Sequence, residues 1–100
     1  MSKQITEALQ NPNVQAFLRV IRAGETSQDA IAYSTMFGGG TFASFVDHPR
    51  LKNSAAGLTS TAAGAYQFLE RTWDNLVVRY KFPDFSPASQ DLGAVALILG

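Results

Sequence analysis

The chain has 100 residues, which predicts one domain near the lower limit for a self-sufficient hydrophobic core. Eight Lys and Arg residues balance eight Asp and Glu residues, so the formal net charge is zero. A neutral chain has no general attraction to phosphate backbones or anionic lipid, and no stretch approaches the roughly 20 apolar residues of a membrane span. We therefore expect neither nucleic-acid binding nor membrane insertion.

The chain contains no cysteine and a single histidine, His48. These counts exclude a disulfide framework, a thiolate nucleophile and a metal site built from Cys or several His residues, so we expect no metal and no cofactor. The first eleven residues are polar and lack the apolar region of a secretory signal. The chemistry that remains accessible is acid–base catalysis by carboxylates.

Asn11 followed by Pro12 predicts the start of the first long helix. Its apolar stripe has the helical spacing i, i+3, i+4 and i+7 and comprises Val14, Phe17, Leu18 and Ile21. Arg22 is expected to lie off this stripe. Gly24 could end the helix. If the helix instead continues to Glu25, that residue lies eleven positions after Val14, and eleven steps of about 100° place it on almost the same face as Val14. The sequence leaves both alternatives open.

The segment from residue 26 to residue 64 is rich in Gly, Ser, Thr and Ala. Three successive glycines, Gly38–Gly40, predict a turn. The aromatic and β-branched run Thr41–Val46 is predicted as a strand, with Tyr33–Phe37 as its hairpin partner. Asn53–Gly64 is predicted as a loop of small residues.

A second helix is predicted from about Ala65, and the Pro-containing segment 82–84 is expected to end it. Its predicted apolar face comprises Tyr66, Leu69, Trp73, Leu76, Val77 and Tyr80. Ser86 and Pro87 are expected to cap a third helix, whose apolar face comprises Leu92, Val95, Ala96 and Leu99. That helix has no stop signal and ends apolar all round, so we expect either that the 100 residues are a truncated piece that lacks its C-terminal helices or that a partner covers this end. The elements predict one mainly helical α+β domain over residues 1–100 with a small β-ribbon.

Glu25 differs from the other carboxylates because its register would place it at the end of an apolar stripe. A carboxyl group partly desolvated by apolar walls has a raised pKa and stays protonated near neutrality, as a general acid for a glycosidic oxygen requires. Activity that depends on such an acid falls as pH rises through that pKa. The alternative is a helix-end glutamate that points to water, which the spacing alone favours.

Several short blocks occur in one order along the chain. They are Ile21–Thr26, Gly38–Gly39, Asp47–Arg50, Ser60–Phe68, Asp84–Pro87 and Gln90–Asp91. In these blocks the chain resembles the lambda-type phage lysozymes, endolysins that act as peptidoglycan lytic transglycosylases. The resemblance covers about residues 13–99 and implies a lysozyme-like fold in which the small β-hairpin forms one side of a cleft.

The resemblance implies that Glu25 is the catalytic acid and base, without a second catalytic carboxylate. Glu25 would protonate the β-1,4 bond between N-acetylmuramic acid (MurNAc) and N-acetylglucosamine (GlcNAc). The muramoyl 6-hydroxyl would then close onto the anomeric carbon and give a 1,6-anhydro end. The alternatives are a hydrolytic muramidase acting on the same bond and a truncated, inactive module that binds glycan.

The resemblance also implies that the substrate-binding residues include Thr26, Ser60, Tyr66 and Gln67. Core packing and sugar contact are equally compatible with Tyr66, whereas a sugar contact is favoured for Gln67. Asp47 and Arg50 are expected to pair locally. The expected partners are peptidoglycan glycan strands. The expected location is the host cytoplasm before lysis, with action on the periplasmic cell wall, and the oligomeric state is left open.

Overall fold

The computed structural model describes residues 3–26 and 28–99, with Glu25 described by its backbone only. Over these residues the chain forms helices and one two-stranded antiparallel sheet. In chain order the elements are α1 (Lys3–Leu9), α2 (Pro12–Glu25), α3 (Asp29–Ala32), β1 (Asn53–Ala55), β2 (Leu58–Ser60), α4 (Glu70–Tyr80) and α5 (Pro87–Leu99). The predicted α+β class is confirmed. None of the described helices is long and apolar enough to cross a membrane.

Helix α2 begins where its sequence predicts. The Asn11 side chain accepts a hydrogen bond from the Asn13 amide at 2.8 Å and satisfies one free donor of the first turn. The helix passes through Gly24 and ends at Glu25, and the Thr26 amide closes the last turn on the Arg22 carbonyl at 3.3 Å. Gly24 therefore does not end the helix, and the backbone register places Glu25 on the face that carries Leu18.

The buried face of α2 differs from the predicted stripe in two residues. Phe17 is 54% exposed, whereas Arg22 is only 9% exposed. The face is rotated toward the i, i+4 and i+8 positions Val14, Leu18 and Arg22. The expectation that Arg22 lies off the buried face is wrong, because its guanidinium finds polar partners inside the fold.

The predicted strand Thr41–Val46 does not form, and its link to the Tyr33–Phe37 segment is one isolated bridge between Thr35 and Thr41. The Gly38–Gly40 segment does reverse the chain. The aromatic side chains of this run pack inward, since the Phe42 ring lies 5.9 Å from the Phe85 ring. Core packing of the aromatic residues replaces the period-two alternation that a strand requires.

The hairpin lies instead in the segment predicted as a loop. Strands β1 and β2 pair in antiparallel register, with Asn53 opposite Ser60. The two-residue turn between them, Ala56 and Gly57, has positive φ at both positions, 52° and 80°. Such a turn matches the natural twist of paired strands. The sequence Ala-Gly is a weak signal for it, so the ribbon was assigned to the wrong segment.

Helix α4 begins at Glu70, five residues later than predicted, because residues 64–67 form a turn. Gly64 and Gln67 have φ of 85° and 51°, which no helix accommodates, and Ala63 pairs across the turn with Phe68. The end of α4 follows the prediction, since the helix stops at Tyr80 before the Pro-containing segment.

The core lies between α4, α5 and the 82–85 segment. Trp73 stacks on Phe82 with centroids 5.4 Å apart and meets Phe85 edge-on at 4.8 Å. Gly93 of α5 faces Trp73 closely enough that a side chain there would collide with the indole. Helix α1 adds Ile5, which is 2% exposed, to the same core.

Replacing Gly93 with alanine should destabilise the protein. The new Cβ would lie 2.8 Å from Trp73 Cζ3 and 3.3 Å from Phe68 Cζ, and overpacking of this kind costs about 1–3 kcal/mol. Gly24→Ala is the matched control, because that position has nothing within 4 Å and alanine favours a helix by up to about 1 kcal/mol. Urea denaturation of both variants measures the difference. Equal stability of the two variants would contradict the packing described.

Candidate functional site

A hydrogen bond between side chains joins the end of α2 to the 64–67 turn. Arg22 Nη1 donates to Tyr66 Oη at 2.9 Å. Glu25 lies three residues after Arg22 on the same helix, a rise of about 4.5 Å along the axis. The structure therefore brings the backbone of Glu25 and the turn carrying Tyr66 and Gln67 into one region. The Glu25 side chain lies outside the described part of the chain.

A cluster of polar side chains surrounds this contact. Arg22 Nε donates to Asp29 Oδ1 at 2.6 Å, and the guanidinium lies 5.6 Å from the centre of the Tyr33 ring. Asp91 Oδ1 accepts hydrogen bonds from both Tyr33 Oη and Tyr66 Oη and lies 3.8 Å from Arg22 Nη1. We call Arg22, Asp29, Tyr33, Tyr66 and Asp91 the Asp91 cluster.

The protonation states of the cluster follow from burial and hydrogen bonding. Burial, followed by the hydrogen bond to Asp91, raises the pKa of Tyr33 to about 12. The same two causes raise the pKa of Tyr66 well above its usual range. Burial acts to lower the pKa of Arg22, but hydrogen bonds to Asp29 and Tyr66 outweigh it and the pKa is raised. Near neutrality both phenols are therefore neutral donors and the guanidinium is charged.

The 64–67 turn is fixed from the inside by two glutamine side chains. Gln67 Nε2 donates to the Thr35 carbonyl at 3.1 Å and to the Gly64 carbonyl at 2.9 Å. The fully buried Gln90 accepts from the Ala65 amide at 2.8 Å. A side chain at Gly64 would collide with Gln90 and Phe85, so glycine is required there. The turn is thus a rigid element beside the end of α2.

The segment 47–50 is tied to the start of α4. The Arg50 guanidinium pairs with Asp47 at 2.8 Å, with Glu70 at 3.1 Å and with Asp74, which confirms the expected local pair and extends it. His48 is buried, accepts from the Arg50 amide on Nδ1 and donates to the Phe68 carbonyl from Nε2. Among the residues that the structure describes, no three His, Asp or Glu side chains are grouped to hold a metal ion.

The Endolysin family model matches residues 15–99. The chain belongs to the endolysin family. It is similar to the endolysin of Escherichia phage lambda, with 47% identity over 66 residues, which is 65% of this chain and 40% of that protein. The predicted membership among lambda-type phage lysozymes is thereby confirmed.

Two solved structures agree with this endolysin fold. They are bacteriophage lambda lysozyme complexed with a chitohexasaccharide and the lysozyme from bacteriophage lambda, with TM-scores of 0.75 and 0.74 and sequence identities of 36% and 35%. Each comparison covers 89% of this chain and 61% of the solved chain. The predicted lysozyme-like fold is confirmed, and the chain spans less than two thirds of the relatives it matches.

The predicted substrate-binding residues of this endolysin-family chain fall in two places. Thr26 caps α2 through its bond to the Arg22 carbonyl and lines a cavity of about 270 Å³ with Asp29, while Tyr66 belongs to the Asp91 cluster and Gln67 to the adjoining turn. Ser60 ends the hairpin, where its Oγ accepts from the Ala62 amide at 3.1 Å. Within the described residues no hydrogen bond joins Ser60 to the cluster. The binding roles of all four residues stay predictions.

The hydroxyl of Tyr66 and the amide group of Gln67 already have internal partners. Tyr66 Oη accepts from Arg22 and donates to Asp91, and the Gln67 NH2 uses both hydrogens on backbone carbonyls. These two side chains therefore use all of their polar hydrogens within the fold.

Sequence reasoning missed the other four members of the cluster as site residues. They are Arg22, Asp29, Tyr33 and Asp91. Two sequence signals were available. Arg22 follows Leu18 by four residues on the buried face, and Asp91 is a lone charge in the otherwise uncharged sequence of α5. Neither signal identifies the residues that pair with Arg22 or with Asp91.

Replacing Arg50 with glutamine should make the unfolding free energy less sensitive to acid. Hydrogen bonds from Arg50 hold the pKa values of Asp47 and Asp74 below the usual 3.8. A carboxylate with a lowered folded-state pKa stabilises the fold above its unfolded-state pKa, and this stabilisation is lost as pH falls below about 4. Arg50→Gln should thus be less stable at neutral pH, by on the order of 1 kcal/mol or less because the pairs are exposed.

The difference in unfolding free energy between the wild type and Arg50→Gln should become smaller as the pH falls. Urea denaturation at several pH values between neutrality and strong acid measures it. Asp84, whose pKa is lowered by hydrogen bonds from Ser86 and Ser89, contributes equally in both proteins and serves as an internal control. Parallel stability curves for the two proteins would show that Arg50 does not set this acid dependence.

Proposed function

We propose that this chain provides a peptidoglycan-cleaving activity, as a lytic transglycosylase that acts on the MurNAc–GlcNAc β-1,4 bond. The observation that carries the proposal is the Arg22–Tyr66 contact, which brings the last turn of α2, and with it Glu25, beside the 64–67 turn. Membership of the endolysin family supports the reaction class. A similar lysozyme structure in complex with a chitohexasaccharide supports a glycan as substrate.

In the proposed reaction Glu25 first acts as a general acid. It protonates the glycosidic oxygen, so that the bond to the anomeric carbon of MurNAc breaks and the GlcNAc residue leaves with a free hydroxyl. Glu25 then acts as a base and takes the proton of the muramoyl 6-hydroxyl, whose oxygen bonds to the anomeric carbon. The product is a 1,6-anhydro end, and no water is consumed. Glycosidases that hydrolyse this kind of bond use two carboxylates instead.

The state of the neighbouring carboxylates favours this route over hydrolysis. Asp29 and Asp91 both reach the last turn of α2 through Arg22. Asp29 is hydrogen-bonded to the guanidinium, and Asp91 accepts two phenolic hydroxyls. An oxygen atom that already accepts from a guanidinium or from two phenols has fewer lone pairs available to activate a water molecule. The substrate's own hydroxyl therefore supplies the nucleophile in the proposal.

Substrate binding is proposed for the residues that flank Glu25 in the fold. Thr26 and the Tyr66 ring would contact the sugar next to the scissile bond, and the flat ring suits a pyranose face. The Gln67 carbonyl oxygen would accept from a sugar hydroxyl. Ser60 would contact the glycan strand farther along, from the end of the hairpin.

Replacing Glu25 with glutamine should abolish wall cleavage. Glutamine is nearly isosteric but transfers no proton, so the rate on purified peptidoglycan should fall by at least about 100-fold. Glu7→Gln, an exposed change of the same kind on α1, is the matched control and should keep the wild-type rate. Circular dichroism checks that both variants fold. A Glu25→Gln protein that cleaves at the wild-type rate would assign the chemistry to another residue.

Mass spectrometry of released muropeptides should show 1,6-anhydro ends, which are one water lighter than reducing ends. Reducing ends alone would favour the hydrolytic muramidase. Chitooligosaccharide binding without any turnover would favour a glycan-binding module. Each of these two results would reject the transglycosylase, and the two are told apart by whether any product is released.

A further inference from the structure

Asp91 occupies an unusual place in the fold. It is the one charged residue between Pro87 and Leu99, and its side chain is only 24% exposed. A carboxylate removed from water requires compensation by donors or cations. Two phenolic hydroxyls from separate segments and the Arg22 guanidinium provide it. Oδ1 of Asp91 thus connects α5 to Tyr33, to Tyr66 and, through Arg22, to α2.

We propose that Asp91 is a positioning residue for the proposed reaction, acting through Tyr66 and Arg22 to hold the last turn of α2 against the 64–67 turn. This inference rests on the proposed function. The path has three steps. Tyr66 Oη donates to Asp91 and accepts from Arg22 Nη1, and the Arg22 carbonyl accepts from the Thr26 amide, which closes the turn that contains Glu25.

The negative charge of Asp91 determines which groups donate and which accept along this path. A phenol has one hydrogen, and donating it to the carboxylate leaves the oxygen lone pairs free to accept from the guanidinium. A carboxylate is also a stronger acceptor than a neutral amide, and it attracts the Arg22 cation 3.8 Å away. Asparagine in the same place keeps the shape and a carbonyl acceptor but loses the negative charge, so the link from Asp91 through Tyr66 to Arg22 is weakened and Asp29 is left as the carboxylate that pairs with Arg22.

A role in stability alone predicts a different result from a role in positioning. Loss of stability lowers the folded population and acts on the whole cooperative structure. Loss of positioning acts on the last turn of α2 while the rest of the fold keeps its protection. It lowers kcat and leaves KM nearly unchanged, because a small misplacement of a reacting group affects chemistry more than binding.

The experiment compares Asp91→Asn with Asp84→Asn in the full 100-residue chain. Asp84 is the matched control because it makes the same charge change beside the same helix, where it accepts from the Ser86 amide and from Ser89 Oγ. The melting temperature of each variant is measured first. Well below it, kcat and KM are measured on peptidoglycan fragments, together with amide hydrogen exchange of residues 23–26 and of α4.

For Asp91→Asn we expect kcat to fall by about tenfold or more with KM within about twofold. Amide exchange at residues 23–26 should accelerate by about tenfold, while exchange in α4 stays as in the wild type. Asp84→Asn should keep wild-type kcat and wild-type exchange at residues 23–26, even if its melting temperature falls. Unchanged exchange at residues 23–26 in Asp91→Asn, or equal changes in both variants, would overturn the proposal.

Two further outcomes are also decisive. If the wild-type chain shows no turnover, the proposed function fails, and the exchange measurement still decides whether Asp91 holds the last turn of α2. If Asp91→Asn does not fold, Tyr66→Phe removes the hydroxyl that links Asp91 to Arg22. Faster exchange at residues 23–26 in that variant, with α4 unchanged, supports the proposal, and unchanged exchange overturns it.

Discussion

The guanidinium of Arg22 is a cation largely removed from water, and the fold tolerates it only because oxygen atoms from three other segments surround it. Asp29 comes from α3, Tyr66 from the turn before α4, and Asp91 from α5. These three elements meet at the end of α2 around one charge. The same requirement fixes the backbone of Glu25 relative to the rest of the molecule, since Glu25 follows Arg22 by less than one helical turn.

An aromatic core provides the rigid support for this arrangement. Trp73, Phe82 and Phe85 pack in stacked and edge-on pairs, and Gln90 binds the inner side of the 64–67 turn. On the other side, Arg50 ties the segment after the glycine turn to α4. Packing and hydrogen bonds within the chain therefore hold the turn on which Tyr66 lies. Preorganisation of this kind favours chemistry that depends on accurate placement of a single acid.

The hydrogen bonds that the carboxylates of the Asp91 cluster accept bear on the type of reaction. A hydrolase of the two-carboxylate kind uses a second carboxylate, whereas Oδ1 of Asp29 accepts from Arg22 and Oδ1 of Asp91 accepts from the two tyrosines. A route in which the substrate supplies its own hydroxyl requires only one free carboxyl group. The Asp91 cluster lies at the last turn of α2, and the proposed chemistry is consistent with the observed cluster.

The elements that depend on local signals follow from the amino-acid sequence alone. Asn11-Pro12 and Ser86-Pro87 marked the starts of α2 and α5, the proline at position 83 marked the end of α4, and ordered blocks identified the family. Three features follow only from long-range contacts, namely the place of the hairpin, the start of α4 and the burial of Arg22. Helix caps and periodicity act between neighbouring residues, so they can be read from the chain. The compensation of a buried charge depends on residues that are distant in sequence, as with Arg22 and Tyr66, which are 44 positions apart, and only folding brings them into contact.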